Sequence, residues 1–363
     1  MKRTFKTIGL LLLITAGQFA YGQSDKEKAV ANCQQAIKLM DKGKVTESIL
    51  LLEEAQKLDP EKFDFPYELA YARYLQKDYK TVVEILEKIE KHKDVTDRLF
   101  QLLGNSYDNL GNGDKAIEVY EKGLTKFPTS GNLYLELGII QYNKGNNNKA
   151  IAYFEKGIEV APTLSSNYYQ AAKIFCSTTE EVWGMIYGEL FMNLERNSQR
   201  TAEISKLLYD TYKSEIKFTG ENSFSVSFSK NSTININDLK DPGKIKLPFG
   251  VGVYEPTLMI SMLTTKTINI NSLDTIRSSF VDNYFIKGYD KTYPNVLFSY
   301  QKQIKDAGHI EAYNHWVLMK GDEDRFGKWL STNQGKWDSF VKWFLQNGIK
   351  INNENKFYRS QYE

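Results

Sequence analysis

Apolar residues in the first half of the chain fall at helical spacing, and the spacing then repeats. Ala29, Cys33, Ala36, Ile37 and Met40 share one face of a helix. After a break at Gly43, Ile49, Leu52, Ala55 and Leu58 share the face of a second. From Leu69 to Pro162 the same residue types return at an offset of 34: Leu69, Leu103 and Leu137 form one column, and Ala70, Gly104 and Gly138 the next. Val82, Ala116 and Ala150 follow, then Leu86, Tyr120 and Phe154, then Ile89, Gly123 and Gly157, with Pro60, Pro128 and Pro162 closing repeats. Such a period predicts stacked helical hairpins, each burying its apolar face against the next. The small residues at 104, 138, 116 and 150 mark where the two helices of a hairpin cross, because a larger side chain there would push the backbones apart.

The grammar of those columns carries a resemblance. Residues 103–128, LGNSYDNLGNGDKAIEVYEKGLTKFP, and 137–162, LGIIQYNKGNNNKAIAYFEKGIEVAP, resemble the tetratricopeptide repeat. Residues 97–130 and 131–164 are its clearest copies. Residues 24–60 are a diverged first copy, and residues 63–96 a second in which Arg73 stands at the column of Tyr107 and Asp94 replaces the closing proline. The resemblance implies a solenoid whose first helices line a concave side that binds a peptide or another domain. Its exposed positions would be Tyr67, Tyr71 and Tyr74, then Arg98, Gln101, Asn105, Asp108 and Asn109, then Asn132, Leu135, Ile139, Tyr142 and Asn143, and finally Tyr169 and Lys173. Asn side chains suit the backbone of an extended peptide and Tyr its apolar side chains. The dense Lys/Arg set with which some members of the family hold a C-terminal carboxylate is missing. The alternative is that the chain's own C-terminal half fills this face.

Beyond Pro162 the pattern decays. Residues 165–176 fit a fifth first helix, and its partner at 180–194 carries Gly184 and Gly188 with Trp183, Tyr187 and Phe191, as expected of a helix gripped on more than one side. Residues 200–216 form an amphipathic helix with Ile204, Leu207, Leu208 and Tyr212 inward and Lys206, Asp210 and Lys213 outward, suited to cap the array. Residues 217–270 are rich in Ser, Asn, Thr and Gly; alternation of Phe224, Val226 and Phe228 predicts a short hairpin, Asp241-Pro242-Gly243 a turn, and 247–263 a buried segment. Residues 271–363 return to helical spacing at 273–284, 293–306, 309–319, 322–330 and 336–346. Aromatic residues crowd this last module, and the spacing of Trp337, Phe340, Trp343 and Phe344 reads as a core stripe, with a ligand-binding aromatic surface as the alternative. The predicted fold is mainly α: four repeats at 23–164, a degenerate fifth with its cap at 165–216, a β-containing segment at 217–270, and an aromatic-rich helical module at 271–363.

The first 22 residues change the compartment. Lys2, Arg3 and Lys6 precede an apolar stretch from Ile8 to Ala16 and a small-x-small site at Ala20-Tyr21-Gly22, the order of a secretory signal. The run is too short to span a bilayer. The formal charge of +2, brought near zero once those three bases leave, gives no bulk preference for nucleic acid or anionic lipid. Export raises the question of a disulfide between Cys33 and Cys176, but their place in separate repeats of an extended solenoid predicts two free, mostly buried thiols.

Chemistry has one candidate. In Gly308-His309-Ile310-Glu311-Ala312-Tyr313-Asn314-His315-Trp316, Glu311 and His315 share a helix face, a spacing open to two metal ligands or an acid/base pair. No H-E-x-x-H or cysteine cluster completes a zinc site, and the plainer expectation is a helix start with Glu311 in its first turn and His315 on the outer face. Asp322-Glu323-Asp324 is expected to be a solvated helix start, and no catalytic motif or cofactor fingerprint appears. Two readings result: an exported scaffold or adaptor that binds a protein or peptide of the cell envelope, without enzyme activity or cofactor, or an enzyme or ligand-binding C-terminal module with the repeats as docking arm.

Overall fold

The computed structural model describes residues 24–220, 223–230 and 247–362. The stretches expected to be a secretory signal, residues 1–22, and a turn, 241–243, lie outside them. The chain divides after Lys122 into two compact units.

The first unit holds helices α1 (Asp25–Asp41), α2 (Val45–Leu58), α3 (Asp64–Leu75), α4 (Tyr79–Ile89), α5 (Asp97–Asn109) and the start of α6 (Gly113–Lys126). Ser24 opens α1 with a capping box, accepting from the Glu27 N–H while the Glu27 carboxylate accepts from the Ser24 N–H. Ala29, Cys33, Ala36 and Met40 of α1 pack with Ile49, Leu52 and Ala55 of α2 and Phe65, Leu69 and Ala72 of α3, all buried. The predicted crossing is present: a Cβ on Gly104 would lie 2.1 Å from Cε1 of Tyr120. A glycine is thus required where the facing column offers an aromatic ring.

The turns inside the hairpins form a further column. Gly43, Gly111 and Gly145 take φ of +74°, +80° and +77°, and a Cβ on any of them would meet nothing within 4 Å. Left-handed backbone alone therefore explains these glycines. The fourth member, Lys77, holds φ of +63° without being glycine.

The second unit continues the hairpins with α7 (Gly131–Asn143), α8 (Asn147–Val160), α9 (Ser165–Phe175) and α10 (Glu181–Leu194), then α11 (Gln199–Glu215). A Cβ on Gly138 would sit 2.3 Å from Cε1 of Phe154, repeating the Gly104 arrangement. Helix α10 is buried from Glu181 to Asn193. It is gripped on two sides through its glycines, as expected: Gly184 abuts Cys176, and Gly188 lies against Leu208 and Ile204 of α11. Strands β1 (Ile216–Gly220) and β2 (Ser223–Val226) pair antiparallel, Ile216 opposite Val226 and Phe218 opposite Phe224, with a bulge before Gly220. The segment predicted as buried is a π-helical turn, Gly250–Tyr254, leading into α12 (Glu255–Ser261). Its Phe249, Val253, Tyr254 and Leu258 are buried, but Leu247 and Leu263 at its two ends are exposed.

Five longer helices complete the unit: α13 (Ile270–Ile286), α15 (Val296–Asp306), α16 (Ile310–Leu318), α17 (Glu323–Thr332) and α18 (Gln334–Gln346), with the short α14 (Tyr289–Thr292) after α13. Asn269 and Asn295 cap α13 and α15, each accepting from two N–H groups of the first turn. The aromatic stripe is core at Phe340 and Phe344, which are buried and meet Tyr313 and Trp316 at ring-centroid distances of 4.9 to 6.3 Å, while Trp337 and Trp343 are half-buried against its edge. One continuous core joins α8, α9 and α10 to α13, α15 and α16. The fifth hairpin and the C-terminal module are therefore one packing unit.

Candidate functional site

The expected binding positions of the first unit lie on α3 and α5, and residues about one repeat apart meet there. The Arg98 guanidinium stands 4.9 Å from the centroid of the Tyr67 ring, which also stacks on Phe63. The Asn109 side-chain amide donates to Tyr74 Oη at 3.3 Å and to the Asn105 carbonyl at 2.7 Å, while Tyr120 Oη donates to Asn105 Oδ1 at 2.5 Å. Tyr67 itself is buried, which corrects its expected exposure and pushes its phenol above the usual range. It packs under Arg98 as a support. Tyr71 is 37% exposed, Arg98, Asp108 and Asn109 are exposed, and Gln101 and Asn105 are half-buried.

In the second unit, α7 presents Tyr142, 47% exposed, beside exposed Asn143, with Asn132, Leu135 and Ile139 half-buried. Helix α9 departs from expectation. Tyr169 is buried, donating to Glu203 of α11 at 2.5 Å, and Lys173 pairs with the same carboxylate at 2.9 Å. Arg200 of α11 lies 5.0 Å from the Tyr169 ring centroid and donates to Ser166. Tyr169 and Glu203 are 34 apart, as are Ser166 and Arg200, so α11 stacks as the next first helix in register and covers the α9 face. Its far side is covered too: Ser205 accepts from the Lys320 N–H, and Gly321 lies against the Tyr209 ring.

Glu311 and His315 do not face one another. His315 is 2% exposed, not on the outer face as expected, and stacks on Trp329 with centroids 4.1 Å apart. Its Nδ1 lies 2.8 Å from the Glu311 carbonyl and its Nε2 3.2 Å from Asn271 Oδ1, and burial holds its pKa below the ordinary imidazole value. The Glu311 carboxylate accepts instead from Trp329 Nε1 at 2.8 Å and Lys336 Nζ at 2.6 Å. Among the described residues no group of three or more His, Cys, Asp and Glu is placed to hold a metal. Asp322 is the N-cap of α17 with Glu323 and Asp324 exposed in its first turn, the helix start expected, but the Asp322 carboxylate itself is engaged, accepting from Tyr209 Oη at 3.0 Å. Cys33 and Cys176 are free thiols, and burial raises their pKa to about 11 and about 12.

The polar centre of this unit went unnoticed in the sequence. Glu189, 3% exposed on α10, accepts from both terminal nitrogens of Arg277 on α13, at 2.9 and 2.7 Å. Gln301 of α15 and Tyr313 of α16 donate to the same carboxylate at 2.6 and 2.8 Å. Arg277 Nε donates to Asn314, and Asn193 donates to Tyr313. Burial works against the Arg277 charge, but Glu189 raises its pKa well above the usual guanidinium value. A void of about 20 Å³ beside this pair has room for about one water. The signal was a lone carboxylate within the apolar run Met185–Met192. Four helices converge on it, and its arrangement is that of a structural pin.

Two tetratricopeptide repeat profiles match the chain, one over residues 97–125 and 131–164, the other over residues 33–81. Residues 33–164 are a tetratricopeptide-repeat array. The C-terminal half matches no family. Among solved structures, the chain is similar to pilF of Pseudomonas aeruginosa at 19% identity and TM-score 0.46, covering 52% of this chain and 85% of that one. It is similar to a thermophilic repeat protein of Thermus thermophilus at 15% identity and TM-score 0.43, covering 50% and 98%. YrrB, a repeat protein described as having an unusual peptide-binding site, is similar at 15% identity and TM-score 0.35, covering 47% and 89%. No curated protein matches this chain in sequence. Among the described residues no helix is long and apolar enough to cross a membrane.

Proposed function

We propose that the chain is an exported scaffold or adaptor of the cell envelope that holds a peptide or protein partner along the first helices of its tetratricopeptide repeats. The observation that carries this reading is a set of exposed side chains on the first helices, one of them, Asn109, already held in place. In the first unit Tyr71 presents open ring surface and Asn109 an exposed amide, and in the second Tyr142 and Asn143 do the same. Side chains already held, like Asn109 between Tyr74 and Asn105, lose little further entropy on binding. Tyr67, Tyr74, Gln101, Asn105, Asn132 and Leu135 support that layer, while Tyr169 and Lys173 are engaged by α11 and serve packing. Export rests on the basic, apolar and small-residue order of residues 1–22. Less favoured is the enzymatic reading, since Glu311 and His315 are engaged by Trp329, Lys336 and Asn271.

The test is capture from the native envelope with the wild-type chain and with a Tyr71→Ala/Asn109→Ala variant of unchanged melting temperature. The partner recovered with the wild type is expected to fall about tenfold or more with the variant, the loss of one good anchor. Equal recovery would overturn the assignment of the first-helix face.

A further inference from the structure

Residues 356–359 are bound to α8 and α10 in the way a peptide is bound. Residues 352–355 are exposed, and then Phe357 is 1% exposed, with its ring 6.0 Å from that of Trp183 on α10 and nearly parallel to it. Two residues on, Arg359 reaches Glu155 on α8 with Nε at 3.1 Å and Nη2 at 2.8 Å. Tyr358 between them is extended, with φ −153° and ψ 155°, so Phe357 and Arg359 project to the same side, as alternate residues of a strand do. The Arg359 backbone N–H donates 2.8 Å to Tyr187 Oη of α10, and Lys356 donates to the Glu159 carbonyl. The short 3-10 turn Arg359–Gln361 that ends the tail supplies none of these bonds; α8 and α10 do.

The receiving side is built for a cation. Glu155 is 8% exposed and also accepts from Tyr187 Oη at 2.7 Å. Were the tail to leave, a buried carboxylate would lose its counter-charge, and a hydrophobic contact at Trp183 would open to water. Such a site favours replacement of its occupant over standing empty. The geometry points to a binding site on α8 and α10 for an extended peptide with an aromatic residue and an arginine two positions apart, and residues 357–359 are its tethered occupant. A partner segment of that pattern competes with the tail, and the tail sets the threshold concentration at which the partner enters. The site lies on second helices of the hairpins, so it stands or falls independently of the first-helix face.

The test uses the full chain and a labelled synthetic peptide of residues 352–362. In a Phe357→Ala/Arg359→Ala variant the tail is released, and the peptide is expected to bind by fluorescence anisotropy at least tenfold more tightly than it binds the wild type. Adding Glu155→Gln to that variant, or replacing the arginine of the peptide by alanine, is expected to weaken binding about tenfold. A folded variant that fails to bind the peptide, or binding indifferent to Glu155→Gln, overturns the proposal. Should the variant not fold, hydrogen exchange on the wild type decides. Exchange of the Arg359 amide much faster than the amides of α10 supports a tail that detaches locally, and equal protection shows a tail that opens only on unfolding.

Discussion

Helix α5 and helix α10 are each one member of a hairpin, yet they solve the placement of polar groups in opposite ways. On α5, Arg98, Asp108 and Asn109 are exposed, and Arg98 and Asn109 touch α3 only through the Tyr67 ring and Tyr74 Oη. On α10 every residue from Glu181 to Asn193 is buried, and Glu189 and Asn193 must find all their partners inside the protein. Binding chemistry can sit on the first kind of helix because its polar groups are available to a stranger. The second kind has spent its polar groups on Arg277, Gln301 and Tyr313, and what it buys is a fixed position for four helices.

The sharpest way to break this contrast is to remove Arg277. Arg277→Ala leaves the Glu189 carboxylate buried and unpaired, and the urea midpoint is expected to fall by the equivalent of about 3–5 kcal/mol. The same change at exposed Arg98 is expected to cost within about 1 kcal/mol, the range of an exposed cation–π contact. Similar losses at the two positions would erase the distinction between the two helices.

A smaller effect separates the ends of α10 by pH. Glu181 has one carboxylate oxygen buried without a hydrogen-bond partner, with Glu180 and Glu215 nearby and Lys230 as the opposing charge. Burial first, and those carboxylates next, push its pKa from 4.5 up to about 7. An acid raised in the folded state contributes most at low pH, so stability declines as pH rises from 4.5 toward 7 and levels above it. The drop is on the order of 1 kcal/mol after allowance for hydration of the cluster. Melting curves of Glu181→Gln should lose that slope, and a slope left intact would place its origin elsewhere.

The smallest expected effect lies in the regular half. Lys77 occupies the left-handed position that Gly43, Gly111 and Gly145 take in the other hairpins. Lys77→Gly is expected to stabilise the first unit by about 0.5–1 kcal/mol, because the strain of a Cβ at positive φ is removed. A lower melting temperature would mean that the Lys77 side chain earns its place through contacts.

How much could be read in advance follows the same contrast. Where the chain repeats, columns report contacts within and between hairpins, so small Gly104 and Gly138 marked where the helices of a hairpin cross, though not the aromatic rings they meet there. The offset of 34 even carried the covering of Tyr169, since Glu203 and Arg200 stand one period beyond Tyr169 and Ser166. That helix was read as a cap by its polar face, and its role as the next first helix was missed. Contacts without a period left no such trace. Arg277 meets Glu189 across 88 residues and Arg359 meets Glu155 across 204, and nothing local to either arginine names its partner. His315 was misjudged for a related reason: the helix start was legible, but the Trp329 ring that covers the imidazole comes from another helix.

The central claim is that the exposed Tyr and Asn residues of the first helices bind a peptide or protein partner while the buried polar groups hold the fold. Peptides selected by phage display on the full chain, and lacking the aromatic-x-arginine pattern of residues 357–359, test it most directly through their affinities for the wild type and for a Tyr71→Ala/Tyr142→Ala variant of equal stability. The account predicts about tenfold or greater weakening in the variant. Undiminished affinity across the selected peptides would contradict it.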